Sequence, residues 1–311
     1  MKIAVIVLIF FAVLLFAAFC FVFKVAKKIA KMISEPELKT DAEGIEHAKK
    51  SGDYDFYEGL KKEDFTVSNL SGYILHCQLC ENYKDSTSKK YVIISHGHKG
   101  NRYMSVKYAV LFQKLGFNTI IYDLRGHGLN EKAWISFGAE EADDLCAIIK
   151  EVRAKIGNQA VLGLMGESMG AATSIQAAAM SSKRLVDFCI ADCAFKSAKG
   201  FARIVRKNGQ VLKPWWLAPS IRAYCKIFYH YDIYKADSLK WVSKTDVPML
   251  FIHGEADNLI PWKHSKVLFD ALPVADKACE IFPGAKHAES ILSDKARYER
   301  VVSDFLERLS A

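Results

Sequence analysis

Beyond residue 62 the chain alternates short apolar, β-branched runs with longer stretches of helical periodicity. Tyr91-Val92-Ile93-Ile94-Ser95 reads as a buried strand, and Tyr103 to Leu115 as a helix that Gly116 ends. Asn118 to Tyr122, Ala160 to Met165, Leu185 to Ala191, Val247 to Ile252 and Lys277 to Phe282 predict further strands. Between them, Glu140 to Lys155 and the alanine-rich Met169 to Met180 predict helices, and a final helix ends near Leu309. Strands alternating with helices predict an α/β fold with a mostly parallel central sheet and helices on both faces. Phe65 to Leu70 and Tyr73 to Cys80 read as an antiparallel hairpin that opens the sheet.

Two segments stand outside this alternation. Ile3 to Phe23 is apolar and free of charge; as a helix it would span about 31 Å, the thickness of a bilayer's hydrocarbon core. A cleaved signal peptide has a shorter apolar region and a small-residue cleavage site. Here Ala17-Ala18-Phe19-Cys20 places a bulky Phe there, so a retained single-pass anchor is expected. Lys24, Lys27, Lys28 and Lys31 follow it, against Lys2 and the amino terminus before it, so the positive-inside rule leans to a cytoplasmic carboxy-terminal domain. Residues 1–31 are accordingly read as anchor and basic flank, 32–62 as a partly helical linker at the membrane surface, and 63–311 as the α/β domain. Removal of residues 1–31 is expected to leave a soluble active domain. The second exception, about Lys196 to Lys244, has no strand pattern and gathers aromatics, among them Trp215, Trp216, Phe228 and Tyr229. It lies between two predicted strands, at the edge where open α/β sheets bind ligands. It reads as a helical cap over a substrate site, with a packed helical layer or a membrane-resting face as the plainer alternatives.

Composition narrows the function classes. In 311 residues, 51% hydrophobic and 25% charged content is that of a globular protein. The net charge of +8 is spread along the chain without a nucleic-acid-binding motif, so no nucleic-acid partner is expected. The eight cysteines lack the dense spacing of a small secreted disulfide domain, which favours a reducing compartment. Cys77 and Cys80 form one CxxC with no second pair, a poor match to zinc or redox motifs.

The sharpest chemical motif is Gly166-Glu167-Ser168-Met169-Gly170, a G-x-S-x-G between a predicted strand and a predicted helix. A sharp strand-to-helix turn needs glycine on either side and presents the serine hydroxyl at the sheet edge. The hydroxyl requires a base and an oriented partner to act as a nucleophile. Downstream, Asp257 sits in the polar turn after Phe251-Ile252-His253-Gly254, with Glu255 as the rival acid. His287 follows Phe282-Pro283-Gly284-Ala285-Lys286 in the loop after the last strand. The order Ser168, Asp257, His287 gives nucleophile, orienting acid and base. The amides of Met169, at a helix N-terminus, and His98, in Ser95-His96-Gly97-His98, are the expected donors to a developing oxyanion. His96 and His98, two apart in a turn, are a weak candidate for a metal pair, and His127 is read as a structural loop residue. His253 is expected to support the acid loop by hydrogen bonding. No metal or organic cofactor is implied.

On these residues, with Tyr122-Asp123-Leu124-Arg125-Gly126-His127-Gly128 and Ala191-Asp192-Cys193, the chain from about Phe65 to Leu309 resembles the α/β-hydrolase superfamily. In particular it is similar to the bacterial esterase/lipase-like group related to serine aminopeptidases and monoacylglycerol lipases. The resemblance implies a serine hydrolase that cleaves acyl esters through an acyl-enzyme, the anchor and aromatic cap suiting lipid-derived or medium-chain substrates. The same fold hosts peptidases, thioesterases and acyltransferases, which stand as alternatives. A non-catalytic membrane-tethered binding protein is the alternative of a different class.

Overall fold

The apolar runs form one eight-stranded sheet. The computed structural model describes residues 2–181, 185–199 and 216–310. The strands are β1 (Lys62–Ser68), β2 (Ile74–Cys80), β3 (Lys90–Ser95), β4 (Asn118–Tyr122), β5 (Val161–Glu167), β6 (Phe188–Asp192), β7 (Met249–Gly254) and β8 (Lys277–Phe282), in the order β1-β2-β4-β3-β5-β6-β7-β8. β1 pairs antiparallel with β2, and β2 with β4, as the predicted hairpin requires. The other neighbours are parallel.

Side chains alternate between two buried layers. Ile93, Ile120, Leu162, Leu164 and Phe251 pack on one face with Leu145, Ile148 and Val152 of α5 (Glu141–Ile156) and Ile175 of α6 (Met169–Ser181). Val92, Ile94, Ile121, Met165 and Ile252 fill the other with Tyr108 and Phe112 of α4 (Val106–Lys114) and Tyr298, Val302 and Phe305 of α11 (Lys295–Ser310). Because β3 lies between β4 and β5, successive connections leave it in opposite directions. The carboxyl ends of β3 and β5 therefore open a crevice, where such sheets hold their ligands.

The amino-terminal region is more integrated than its composition suggested. α1 is a continuous helix, Lys2–Ser34, long and apolar enough to cross a membrane. Its first two-thirds are exposed, but Ala26, Ala30 and Ser34 are buried against the catalytic domain. Ser34 Oγ lies 2.5 Å from Tyr231 Oη, and Ile135 N donates to Ser34 O at 3.1 Å. Residues 32–62 are likewise packed rather than a free linker. A capping box, with Thr40 N donating to Glu43 Oε2 (2.8 Å) and Glu43 N to Thr40 Oγ1 (3.3 Å), starts α2 (Asp41–Lys50). α2 is followed by α3 (Tyr54–Glu58), and Ala48, Tyr57 and Leu60 join the core.

This packing changes the expected outcome of truncation. Deleting residues 1–31 removes Ala26 and Ala30 from the core and should lower Tm by about 10 °C relative to the full chain. Deleting only residues 2–21 leaves those contacts in place and should cost little. Thermal unfolding of the two truncations in detergent checks the difference; equal Tm values would contradict the docking of α1.

Candidate active site

The strand-to-helix turn after β5 has the backbone its glycines predict. Ser168 holds a left-handed φ of +55°, a strained conformation for a residue with a side chain, and its amide donates to Asp192 O at 2.8 Å. A Cβ at Gly166 would collide with the Gly170 carbonyl, and one at Gly170 with the carbonyl of Ser95. The tight approach of β5, α6 and the end of β3 thus admits no side chain at either position. Gly97 abuts the same turn: a Cβ there would lie 3.7 Å from Ser168 Cβ and 3.1 Å from Glu167 Oε1.

Three residues from distant parts of the chain meet at this point. His287 Nε2 is 2.9 Å from Ser168 Oγ, and His287 Nδ1 is 2.6 Å from Asp257 Oδ2. With Nδ1–H donated to the carboxylate, Nε2 is free to accept from the serine hydroxyl. Asp257 is buried, and its Oδ1 accepts from the amides of Leu259 and Ile260, both at 2.8 Å. His253 Nε2 donates to Asp257 Oδ2 (3.1 Å) and Ile260 O (2.8 Å), while its Nδ1 accepts from Ser265 Oγ at 2.7 Å. Burial alone would raise the Asp257 carboxyl, but hydrogen bonds from His253 and His287 outweigh it and hold the group well below the usual carboxylate range. Burial opposes the imidazolium of His287, yet the bond to and charge of Asp257, with Glu167 and Asp192, raise it above the ordinary histidine value. Glu255 is exposed and accepts from Gly284 N at 3.3 Å, so it takes no part in this chain of bonds.

Of the two residues expected to supply oxyanion amides, Met169 directly follows the serine and His98 directly follows Gly97, which abuts the serine turn. Met169 is the first residue of α6, where helical amides have no intrahelical acceptor. His98 follows Gly97; its ring packs 5.0 Å from that of Phe137, and Nε2 donates to Ile33 O of α1 at 3.2 Å. Burial lowers its pKa to about 4. His96 accepts from Leu124 N through Nε2 (3.0 Å) and donates from Nδ1 to Gly97 O (2.8 Å). Backbone groups thus hold both histidines, and buried His127 donates from Nδ1 to Arg125 O at 2.8 Å, a structural role.

Of the cap aromatics, Trp215 lies outside the described residues. Leu217–Phe228 forms α7, and its neighbours pack on the amino-terminal helix. Trp216 meets Phe21 edge-on at 6.3 Å, and Phe228 lies 5.6 Å from Phe23. Tyr229 stacks on Trp134 at 4.1 Å and donates to Glu35 at 2.6 Å. The described part of the cap segment is thus a seat for α1, which meets it with Phe21 and Phe23 at the end of the charge-free run.

Sequence reasoning missed a polar cluster beneath the serine. Lys107 of α4 is buried, with Nζ 2.5 Å from Glu167 Oε2 and donating to Ala288 O at 2.9 Å. One ammonium therefore ties the residue before Ser168 to the residue after His287. Burial pushes the Glu167 carboxyl up, but Lys107 outweighs it and keeps the group below its usual range. Tyr108 Oη donates to Glu167 Oε2 at 2.9 Å, and Tyr298 Oη to Asp192 Oδ2 at 3.0 Å. Lys107→Met should cost about 3–5 kcal/mol of stability, because it leaves Glu167 buried without its cation. Lys107→Met with Glu167→Gln should recover part of that loss in denaturant unfolding; no recovery would mean that the pair is not coupled.

Comparison with known proteins agrees with this fold. Residues 90–218, which include Ser168, match the family model described as alpha/beta hydrolase fold. Residues 235–295, which include Asp257 and His287, match that described as serine aminopeptidase, S33. The chain is 29% identical over 274 residues to the uncharacterized protein YqkD of Bacillus subtilis (strain 168), covering 88% of each. It is 25% identical over 224 residues to the uncharacterized membrane protein YNL320W of Saccharomyces cerevisiae, covering 72% of each. Its fold is similar to that of the Pyrococcus furiosus esterase Pf2001, with a TM-score of 0.64 at 20% identity over 84% of this chain and 95% of that one. With two hydrolase models matching the two parts of one sheet whose crevice holds the serine turn, the chain has the α/β-hydrolase fold and is an enzyme of the hydrolase type.

Proposed function

We propose that this enzyme cleaves carboxylic esters of small amphipathic or lipid-derived acyl groups, with Ser168 as nucleophile, His287 as base and Asp257 as the acid orienting that base. The observation that carries the reading is the unbroken chain of bonds from Asp257 through His287 to Ser168 Oγ. Ser168 Oγ attacks the acyl carbon as its proton passes to His287 Nε2. The amides of His98 and Met169 stabilise the resulting oxyanion, each worth about 3 kcal/mol to the transition state. The imidazolium, held by Asp257, then protonates the departing alkoxide and leaves an acyl-enzyme. Water, deprotonated by His287, releases the acid and restores the serine.

A second reading, cleavage of an aminoacyl amide by the same residues, is favoured by the match of residues 235–295 to the serine aminopeptidase model. The chemistry differs only in its leaving group, an amine rather than an alkoxide. A panel of p-nitrophenyl esters of rising chain length beside aminoacyl p-nitroanilides separates the two. Turnover of esters, with medium chains preferred, is the expected result; turnover of anilides alone would overturn the ester reading. The enzyme is further read as a single-pass membrane protein with its catalytic domain on the cytoplasmic side, supported by the apolar α1 and its four following lysines.

A further inference from the structure

We infer that the face of the domain carrying the active-site crevice rests on the bilayer, with α7 lying at the headgroup level as a second membrane contact beside α1. The inference deepens the proposed function, since an acyl chain would then enter from the lipid, and it rests on α1 being a membrane span.

α7 sits at the level of the membrane boundary. The charge-free run of α1 ends at Phe23, so the hydrocarbon boundary falls there. At that level α1 touches α7: Phe21 meets Trp216, and Phe23 meets both Tyr224 (5.5 Å) and Phe228 (5.6 Å). α1 is also pinned to the domain further on by the bonds of Ser34 and Ile33. Fixed at both places, the domain cannot swing away as a tethered body would, and α7 is held near the interface. Aromatic rings gather at such a level because they are apolar with a polar edge.

α7 and its neighbours also leave apolar side chains uncovered. α7 exposes Ile227 (63%) and Phe228 (45%) beside Lys226 and Arg222. The loops leaving the carboxyl ends of β4 and β7 expose Leu129, Trp134 and Leu259 at the same edge of the sheet. Apolar side chains flanked by Lys24, Lys27, Lys28 and Lys226 suit a surface with an apolar interior and anionic headgroups. A water-soluble protein partner would leave unexplained why this face adjoins the end of the membrane helix.

The test uses the full chain, with Cys20→Ser to remove the exposed thiol, in nanodiscs containing anionic lipid. An environment-sensitive fluorophore is placed at Ile227→Cys, at Phe228→Cys, and at Val161→Cys on the opposite edge of the sheet; the parent without an added cysteine gives the background. The labels at 227 and 228 should lose about half their intensity with lipids brominated near the headgroup, and the label at 161 about none. Labels on α7 reached by aqueous iodide but not by brominated lipid, or shielded from both as in a contact with protein, would overturn the inference. Fractionation of the full chain tests the span separately: recovery outside the membrane fraction would remove the premise, whereas a membrane-bound chain with unquenched labels would refute α7 alone.

Discussion

Ser168→Ala should lower kcat/KM toward a p-nitrophenyl ester by roughly 10,000- to 1,000,000-fold while leaving the protein folded. The hydroxyl is the only atom removed, and it is the one 2.9 Å from His287 Nε2. The backbone of the turn is set by Gly166 and Gly170, whose contacts the substitution does not touch. Alanine must still adopt the φ of +55°, so no new backbone freedom is gained. Turnover and thermal unfolding of the same preparation check both halves of the expectation. A loss below about tenfold with Tm unchanged would place the nucleophile elsewhere.

The second large effect is expected at Asp257. Asp257→Asn should reduce kcat about 10,000-fold, because an amide can present a donor to His287 Nδ1 and favour the tautomer whose Nε2 already carries a proton. The same substitution should alter the pH dependence. In the native enzyme kcat/KM falls as pH drops through the pKa of His287, because the protonated ring cannot accept from Ser168. That pKa is raised by Asp257 against the effect of burial, so the midpoint should lie above the ordinary histidine value of about 6.5. Loss of the carboxylate should move the residual activity's midpoint to lower pH. Glu255→Gln should stay within about twofold of native, as exposed substitutions do. Rate profiles of the three proteins between acid and neutral pH check the set; a midpoint unmoved in Asp257→Asn would show that another group titrates.

How much of this was legible in the sequence depended on how local each signal was. β4 and β8 coincide with the expected Asn118 to Tyr122 and Lys277 to Phe282, because each is a short run bounded by turn residues. The serine turn was legible because steric crowding writes its glycines into five consecutive residues. Choosing Asp257 over Glu255 rested on where the strand ends, and β7 does run to Gly254, leaving Glu255 to the turn. The docked end of α1 was misjudged because its lysines dominate the composition. Ala26, Ala30 and Ile33 nonetheless fall at helical spacing on one face, which was the available sign of packing. Lys107 carried no sign at all, since its partners, Glu167 and Ala288, lie 60 and 181 residues away and only the fold unites them.

Catalysis rests on the reactivity of one side chain, and a fluorophosphonate reads that reactivity directly in the native, full-length protein. After brief labelling near pH 8 and proteolysis, mass spectrometry should find a single phosphonylated residue, Ser168, and none after prior acidification that protonates His287. An adduct on another residue, or no adduct in protein that is folded, would contradict it.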